Sequence, residues 1–365
     1  MRALRILHTE SSLGWGGQEI RILSEARGLA RRGHTVTLVC PPQSRIHSEA
    51  PAWGVASTPL PIARKRIAGG AALYRWLKAN PHDVLNAHSS TDSWLAALAL
   101  SCLGRPFPLV RTRHISAPVP TDPLTGWLYR SATAKIVTTG EALRRQLIET
   151  NGFSAERIVS VPTGIDTSRF RPGDSSAARK QLGLPANARL VGIVATLRSW
   201  KGHAYLVEAL SLLPQDVVLV IVGAGPGWDP LHEQVARSGL RERVVFAGNQ
   251  PDVVPWLQAL DVFALPSYAN EGVPQAIVQA MACERAIVTT SVGAISEAIE
   301  DGVSGVFVPA RNSQALARAI EALMADAPRR ARLGAAARKR AVEHHSLEGM
   351  LDRMEAVFSA VAANR

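Results

Sequence analysis

The sequence predicts an α/β protein built from two doubly wound domains. Three observations carry that reading. Short apolar runs alternate with amphipathic helical stretches almost throughout. The alternation restarts midway, after a polar segment bearing Pro and Gly. The loops richest in glycine, histidine and charge follow apolar runs, where an open parallel sheet places its ligands. A chain of 365 residues suffices for two domains. A hydrophobic share of 47% with 19% charged residues fits a folded chain and not a disordered one.

The elements follow in order. ALRILHT (Ala3 to Thr9) reads as a buried parallel strand, followed by the Gly-rich loop SLGWGGQ. EIRILSEARGLARRG is an amphipathic helix closed by Gly33 as a C-cap. HTVTLVC, DVLNAHS, PLVRTRH, AKIVTTG and RIVSVPT continue the strands, with DSWLAALALSCLG and EALRRQLIETNG as helices between them. Residues 1–170 make the expected N-terminal domain. After RFRPGDSSAARKQLGLPANA the strands RLVGIVAT, VVLVIVG, RVVFAG, DVFALPS, AIVTT and GVFVP alternate with helices. They make a second domain over 171–345. SLEGMLDRMEAVFSAVA, within 346–365, is a last amphipathic helix with no strand after it, expected to pack back toward the N-terminal domain. Two such domains facing each other would enclose a central cleft lined by strand ends.

Composition narrows the function classes. A formal charge of +11 attracts polyanions: anionic lipid, phosphorylated ligands or nucleic acid. An Arg-rich composition accounts for it equally well, since many arginines sit in Ala/Arg helices such as RRARLGAAARKRA. The longest apolar stretch, Trp94 to Leu103, is too short to span a bilayer, which takes roughly 20 residues. MRALRIL is too short for the apolar region of a signal peptide. The three cysteines are far apart, without CxxC or a Cys/His cluster, so neither zinc nor a disulfide framework is expected. A reducing, cytoplasmic setting follows.

Six motifs can carry chemistry. In LPSYANEGVPQAIVQAMAC, the acid Glu271 precedes a helix that Pro274 can open as its first residue. The amides there, around Gly272, Val273, Pro274 and Gln275, would form an anion cradle beside a carboxylate. Arg198 and Lys201 in LRSWKGH can neutralise a diphosphate; a solvated helix start is the plain alternative. VVLVIVGAGPG places Gly223 and Gly225 in a strand-to-helix turn; it has Trp228 where a dinucleotide fingerprint needs a third glycine. Gly14, Gly16 and Gly17 let the first loop approach a ligand, or simply turn tightly. His88 and His114 end two strands, with Arg111 and Arg113 nearby, and can bond sugar hydroxyls. Finally, IARKRIAGGAALYRWLKAN (Ile62 to Asn80) mixes cations with Ile67, Leu73, Trp76 and Leu77, suiting an anionic membrane surface or an ordinary exposed helix.

These segments together resemble the retaining glycosyltransferases of family 4, which have the GT-B fold. The resemblance runs through GGQEIRILSEARGLARRGHTVTLV, PTGIDTSRFRP, LRSWKGH, VGAGPG, the EGVPQAIVQAMAC block and TTSVGAISEAIEDGVSG. It implies that Glu271 is the first acid of an E-x7-E motif placed near the donor sugar. It makes Arg198 and Lys201 a diphosphate-binding pair. Gly272, Val273, Pro274 and Gln275 would hold phosphate and sugar, and Gly16 and Gly17 would form the Gly-Gly loop. His114 would lie near the reacting sugar, and Glu297 is the acid after the last long strand. The second motif acid is Gln279 here, a neutral amide that should bind ribose hydroxyls less strongly. Thr196 stands where an Arg is common.

The resemblance implies sugar transfer from a nucleotide diphosphate sugar to a hydroxyl, with retention and without a dedicated general base. UDP is favoured over GDP as the donor nucleotide. No D-x-D motif occurs, so neither a metal nor any other cofactor is expected. The expected acceptor is a cell-envelope glycan or a lipid-linked one, reached from the inner face of the cytoplasmic membrane. Nucleic acid is not an expected partner. A nucleotide-sugar epimerase or hydrolase on the same fold, or a non-catalytic sugar-binding protein, are the alternatives.

Overall fold

The computed structural model describes residues 2–363. The chain forms two compact units. The first runs to Gly164 and includes the segment from Leu347 on; the second is Ile165–Ser346. The division expected after residue 170 therefore falls earlier, and the last helix belongs to the first unit. The reason is local. The Gly164 N–H lies 3.2 Å from Met350 Sδ, while Ile165 N–H donates to the His345 carbonyl at 2.9 Å and bridges to Ser346. The chain thus leaves and re-enters each unit at one place. Phe170, in the Pro/Gly cluster expected to be a linker, is buried in the second unit.

The first unit holds seven parallel strands: β1 (Arg5–Thr9), β2 (Thr35–Cys40), β3 (Ala56–Pro59), β4 (Val84–Ala87), β5 (Leu109–Arg113), β6 (Lys135–Thr138) and β7 (Ile158–Ser160). Their order is β3-β2-β1-β4-β5-β6-β7. The second unit holds β8 (Arg189–Val194), β9 (Val217–Val222), β10 (Val244–Gly248), β11 (Val262–Leu265), β12 (Ala286–Thr289) and β13 (Val306–Phe307), ordered β10-β9-β8-β11-β12-β13. Helices cover both faces of a doubly wound sheet, so its inner strands read as unbroken apolar runs. VVLVIV of β9 is buried at every position. Only β3, with the sequence ASTP, lacked such a run and was absent from the expected strands.

Strand order reverses between β1 and β4 in one sheet and between β8 and β11 in the other. Such switch points open a crevice at the carboxyl ends of the strands.

Helix Leu347–Ala363 packs back as expected. Met350, Leu351, Met354 and Phe358 join one buried cluster with Ile22, Leu23, Ala26 and Leu29 of helix Gly17–Arg31. Gly28 makes room: a Cβ there would lie 2.4 Å from Leu351 Cδ1. Arg32 forms ion pairs with Glu348, Asp352 and Glu355 at the edge of the contact. Arg32, not Gly33, is the C-cap; Gly33 follows in the left-handed conformation (φ 91°) that favours glycine. No helix among the described residues is long and apolar enough to cross a membrane.

Candidate active site

In the second unit, β8 and β11 pair side by side, so the loops that leave them meet. Lys201 ends the first loop and Glu271 lies in the second. Lys201 Nζ stands 2.7 Å from Glu271 Oε1 and 2.9 Å from Oε2. Ser267 Oγ donates to Oε1 at 2.6 Å. Glu271 is 4% exposed. Three backbone features hold the pair. Asn270 takes φ 59° just before the acid. Gly202 (φ 80°) lies so close that a Cβ would be 2.2 Å from the Pro266 carbonyl. Gly293 (φ 64°) would place one 2.1 Å from the Glu271 carbonyl. An ammonium has three donors, and two face the carboxylate; one remains for a ligand oxygen. The carboxylate, with about four acceptor sites, keeps about one for a hydroxyl.

The next helix is Gln275–Ala282, with Pro274 as its N-cap in an extended conformation (ψ 126°). The expectation that Pro274 is the first helical residue is corrected by one position. The cause is the extended ψ, which leaves Gln275 as the first residue with helical torsions. The Gln275 and Ala276 amides at this end have no intrahelical acceptor. Gly272 and Val273 are buried, and so is Gln279 on the same helix. Gln275 Oε1 is buried without a partner. Glu297 is half-buried on helix Ile295–Ala298.

Arg198 departs from its expected place, while Gly223 and Gly225 make the expected turn. Arg198 is exposed and lies over Trp200, 5.3 Å from the ring centre. It makes no ion pair with Glu271, so the expected pair of cations is one cation at the acid and one stacked on an indole. Gly223 and Gly225 (φ 137° and 157°) are required by backbone contact: Cβ atoms there would lie 2.0 Å from the Ala195 carbonyl and 2.9 Å from the Leu197 amide nitrogen. The loops after β8 and β9 interlock at this point, with Leu197 N–H donating to the Ala224 carbonyl at 3.1 Å.

In the first unit, three histidines at the β1/β4/β5 strand ends form a row. His8 Nδ1 is 2.8 Å from His88 Nε2, and His88 Nδ1 is 3.0 Å from His114 Nε2. Burial drives all three pKa values down, that of His8 to about 3, so the row is neutral at physiological pH. Each contact needs one proton, which leaves two tautomer patterns. His8 Nε2 is buried beside Phe358 with no partner. A buried N–H without an acceptor is rarer than an unfilled lone pair. The favoured pattern therefore has protons on His8 Nδ1, His88 Nδ1 and His114 Nδ1. His114 then offers an N–H donor.

Gly16 caps helix Gly17–Arg31 in extended backbone (φ −176°), so that position does not call on glycine's positive-φ freedom. Beside the loop, Glu10 accepts from Ser12 N–H, Gln18 Nε2 and Ser89 Oγ. Burial first, then the charges of Asp92 and Glu19, pushes its pKa up to about 8.

A cavity of about 460 Å³ opens beside the row. His88, His114, Arg111 and Arg113 line it, as do Lys65 and Trp94. The structure thus gathers the four first-unit residues expected to touch a sugar or acceptor. Sequence reasoning missed His8, Ser267, Gly202 and Gly293, and it assigned Lys65 to a membrane-facing segment and not to this cavity. A third strand-end histidine was a legible signal for His8; the others act through contacts that sequence separation hides.

Two family models match the chain: "Glycosyltransferase Family 4" over residues 15–169 and "Glycosyl transferases group 1" over residues 174–340. A D-inositol 3-phosphate glycosyltransferase of Xylanimonas cellulosilytica is 30% identical, covering 88% of this chain and 87% of the relative. Among solved structures, Anabaena HepE in complex with UDP-glucose has a TM-score of 0.87 at 23% identity, covering 98% of this chain and all of that one. WaaG, a glycosyltransferase involved in lipopolysaccharide biosynthesis, has a TM-score of 0.73 at 17% identity, covering 97% and 99%. At these identities the two structures share the fold.

Proposed function

The chain is a glycosyltransferase that belongs to family 4 and has the GT-B fold of two Rossmann-like domains, and from that premise we propose that it moves a sugar from a nucleotide diphosphate sugar to an acceptor hydroxyl with retention and without a metal. UDP precedes GDP as the donor nucleotide. The acceptor is a cell-envelope glycan or glycolipid, met by a peripheral protein on the inner face of the cytoplasmic membrane.

The observation that carries this reading is the Lys201–Glu271 pair at the β8/β11 switch point, beside the start of helix Gln275–Ala282. When the glycosidic bond to the diphosphate breaks, negative charge grows on the leaving oxygen. The third Lys201 N–H and the helix-start amides are already in place to receive it, so the barrier falls without reorganisation. The remaining acceptor site of Glu271 orients a sugar hydroxyl, and the His114 N–H is a donor for a sugar hydroxyl. Gln279 holds the ribose, while Arg198 and Glu297 contribute to donor binding. The new bond joins acceptor oxygen to the anomeric carbon, and the acceptor proton passes to the departing phosphate.

Thermal-shift screening of UDP-, GDP- and ADP-sugars tests the donor assignment, since a ligand that binds the native state raises the melting temperature. Stabilisation by one nucleotide series, followed by a glycoside product with retained configuration, is the expected result. Free sugar as the product would indicate a hydrolase. Stabilisation by none would remove the reading.

A further inference from the structure

We propose that the cavity beside the histidine row recognises an oxyanion carried by the acceptor, a phosphate monoester or a carboxylate, with Arg111 as its principal ligand and Lys65 and Arg113 beside it. This rests on reading the cavity as the acceptor side of a glycosyltransferase.

The observation behind it is an arginine that lacks what the other buried arginines have. Arg21 lies 3.9 Å from Glu25 and donates to Thr163 Oγ1 and the Val161 carbonyl. Arg179 pairs with Asp261 at 2.8 Å and donates to the carbonyls of Ala259, Ala186 and Ala188. Arg243 donates to the carbonyls of Val217, Leu213 and Pro214. Arg111 is 5% exposed, makes no ion pair or side-chain hydrogen bond among the described residues, and leaves Nη1 buried without a partner. Its one specific contact is the Tyr129 ring, 4.4 Å from Cζ to the centroid. A buried cation in that state is costly unless something completes its coordination.

No acid among the described residues pairs with it, though the Asp92 charge acts on it. Asp92 already accepts from Thr9 Oγ1, Ser11 Oγ and the amides of His88 and Ser89. Asp122, in the cavity wall, accepts from Thr125 N–H and Oγ1. The neighbours add positive charge. Lys65 Nζ sits 5.3 Å from the centre of the Trp94 ring, and burial with the Arg111 charge lowers its pKa. Arg113 gives Nη1 to Tyr129 and Nη2 to the Ala117 carbonyl, leaving Nε buried and unpaired. Three cations that repel one another around a cavity of about 460 Å³ are relieved together by one bound oxyanion.

The test is titration calorimetry of the full chain at low salt with glucose 6-phosphate, glucuronate and glucose. At least one anion should bind about tenfold or more tightly than glucose, and the one that does identifies phosphate or carboxylate as the source. Arg111→Gln should remove that advantage, leave UDP binding intact, and leave the melting temperature of the free protein no lower. Should that variant misfold, exposed Lys65→Ala must weaken the same anion instead. Equal binding of all three probes overturns the proposal. So does an anion effect lost in Lys201→Ala but not in Arg111→Gln, which would place the anion at the donor site. Anion binding without any nucleotide-sugar binding would instead overturn the donor reading alone.

Discussion

Lys201 and Glu271 are 70 residues apart in sequence, yet Nζ lies within 2.9 Å of both carboxylate oxygens. Each residue therefore holds the other in place. Lys201→Ala and Glu271→Gln should each lower transfer by about 100-fold or more. Because the two act as a unit, the double variant should fall little below the weaker single one. Initial rates of glycoside formation decide this. Wild-type turnover in both single variants would remove the site, and fully multiplicative losses would remove the coupling.

The pair depends on two glycines that no side chain can replace. A Cβ at Gly202 or Gly293 would meet a carbonyl oxygen at 2.2 or 2.1 Å, in left-handed backbone. Gly202→Ala and Gly293→Ala should each destabilise the protein by about 1–3 kcal/mol or more in urea denaturation. They should also cost activity in the fraction that stays folded. Gly239→Ala is the control. Its φ is also positive, but nothing lies within 4 Å of its Cβ, so the lost stability should be smaller.

Much of this was legible beforehand. All six strands of the second sheet were visible as apolar runs, because a sheet covered on both faces writes burial directly into the sequence. β3 was not, since ASTP carries no apolar run, whereas the edge strands β10 and β13 do. Glu271, Lys201 and His114 were identifiable because their loops follow apolar strands. Their partners were not. Ser267, His8 and Lys65 matter through a hydrogen bond, a ring contact and a shared field, each of which forms only on folding. Gly223 and Gly225 were legible as a strand-to-helix turn, but their close approach to the loop after β8 forms only on folding.

The histidine row should be electrically silent near neutral pH. Burial depresses these pKa values, so each folded ring binds fewer protons than its unfolded counterpart. Their contribution to stability is complete above about pH 6.5 and is lost as pH falls through the lower folded values. Nitrogen NMR at pH 7 should find His114 neutral with its proton on Nδ1. A proton on Nε2 would reverse the derived pattern.

Glu10 has the opposite sign. Its folded pKa of about 8 lies above the ordinary carboxylate value, so the native state holds a proton that the unfolded chain gives up. Stability should decline as pH rises from about 4.5 to about 8. Glu10→Gln should flatten that decline. An unchanged slope of melting temperature against pH in the variant would show that another group is responsible.

Membrane attraction by the Ile62 to Asn80 segment should be mainly electrostatic. Of the apolar residues first grouped in this segment, Leu73 and Leu77 are core, and Trp76 is half-buried against His82. Ile67 alone stays outside, at 93% exposure, next to exposed Arg64, Lys65 and Arg66. One aliphatic side chain contributes about 1.5–3 kcal/mol at full burial, too little for stable anchoring by itself. Binding to vesicles rich in anionic lipid should therefore fall steeply between about 0.05 and 0.3 M salt, as screening shortens the reach of the basic turn. Arg64→Glu with Arg66→Glu should abolish it, while Ile67→Ala weakens it modestly. Salt-independent binding, or none at low salt, would exclude this surface as a membrane contact.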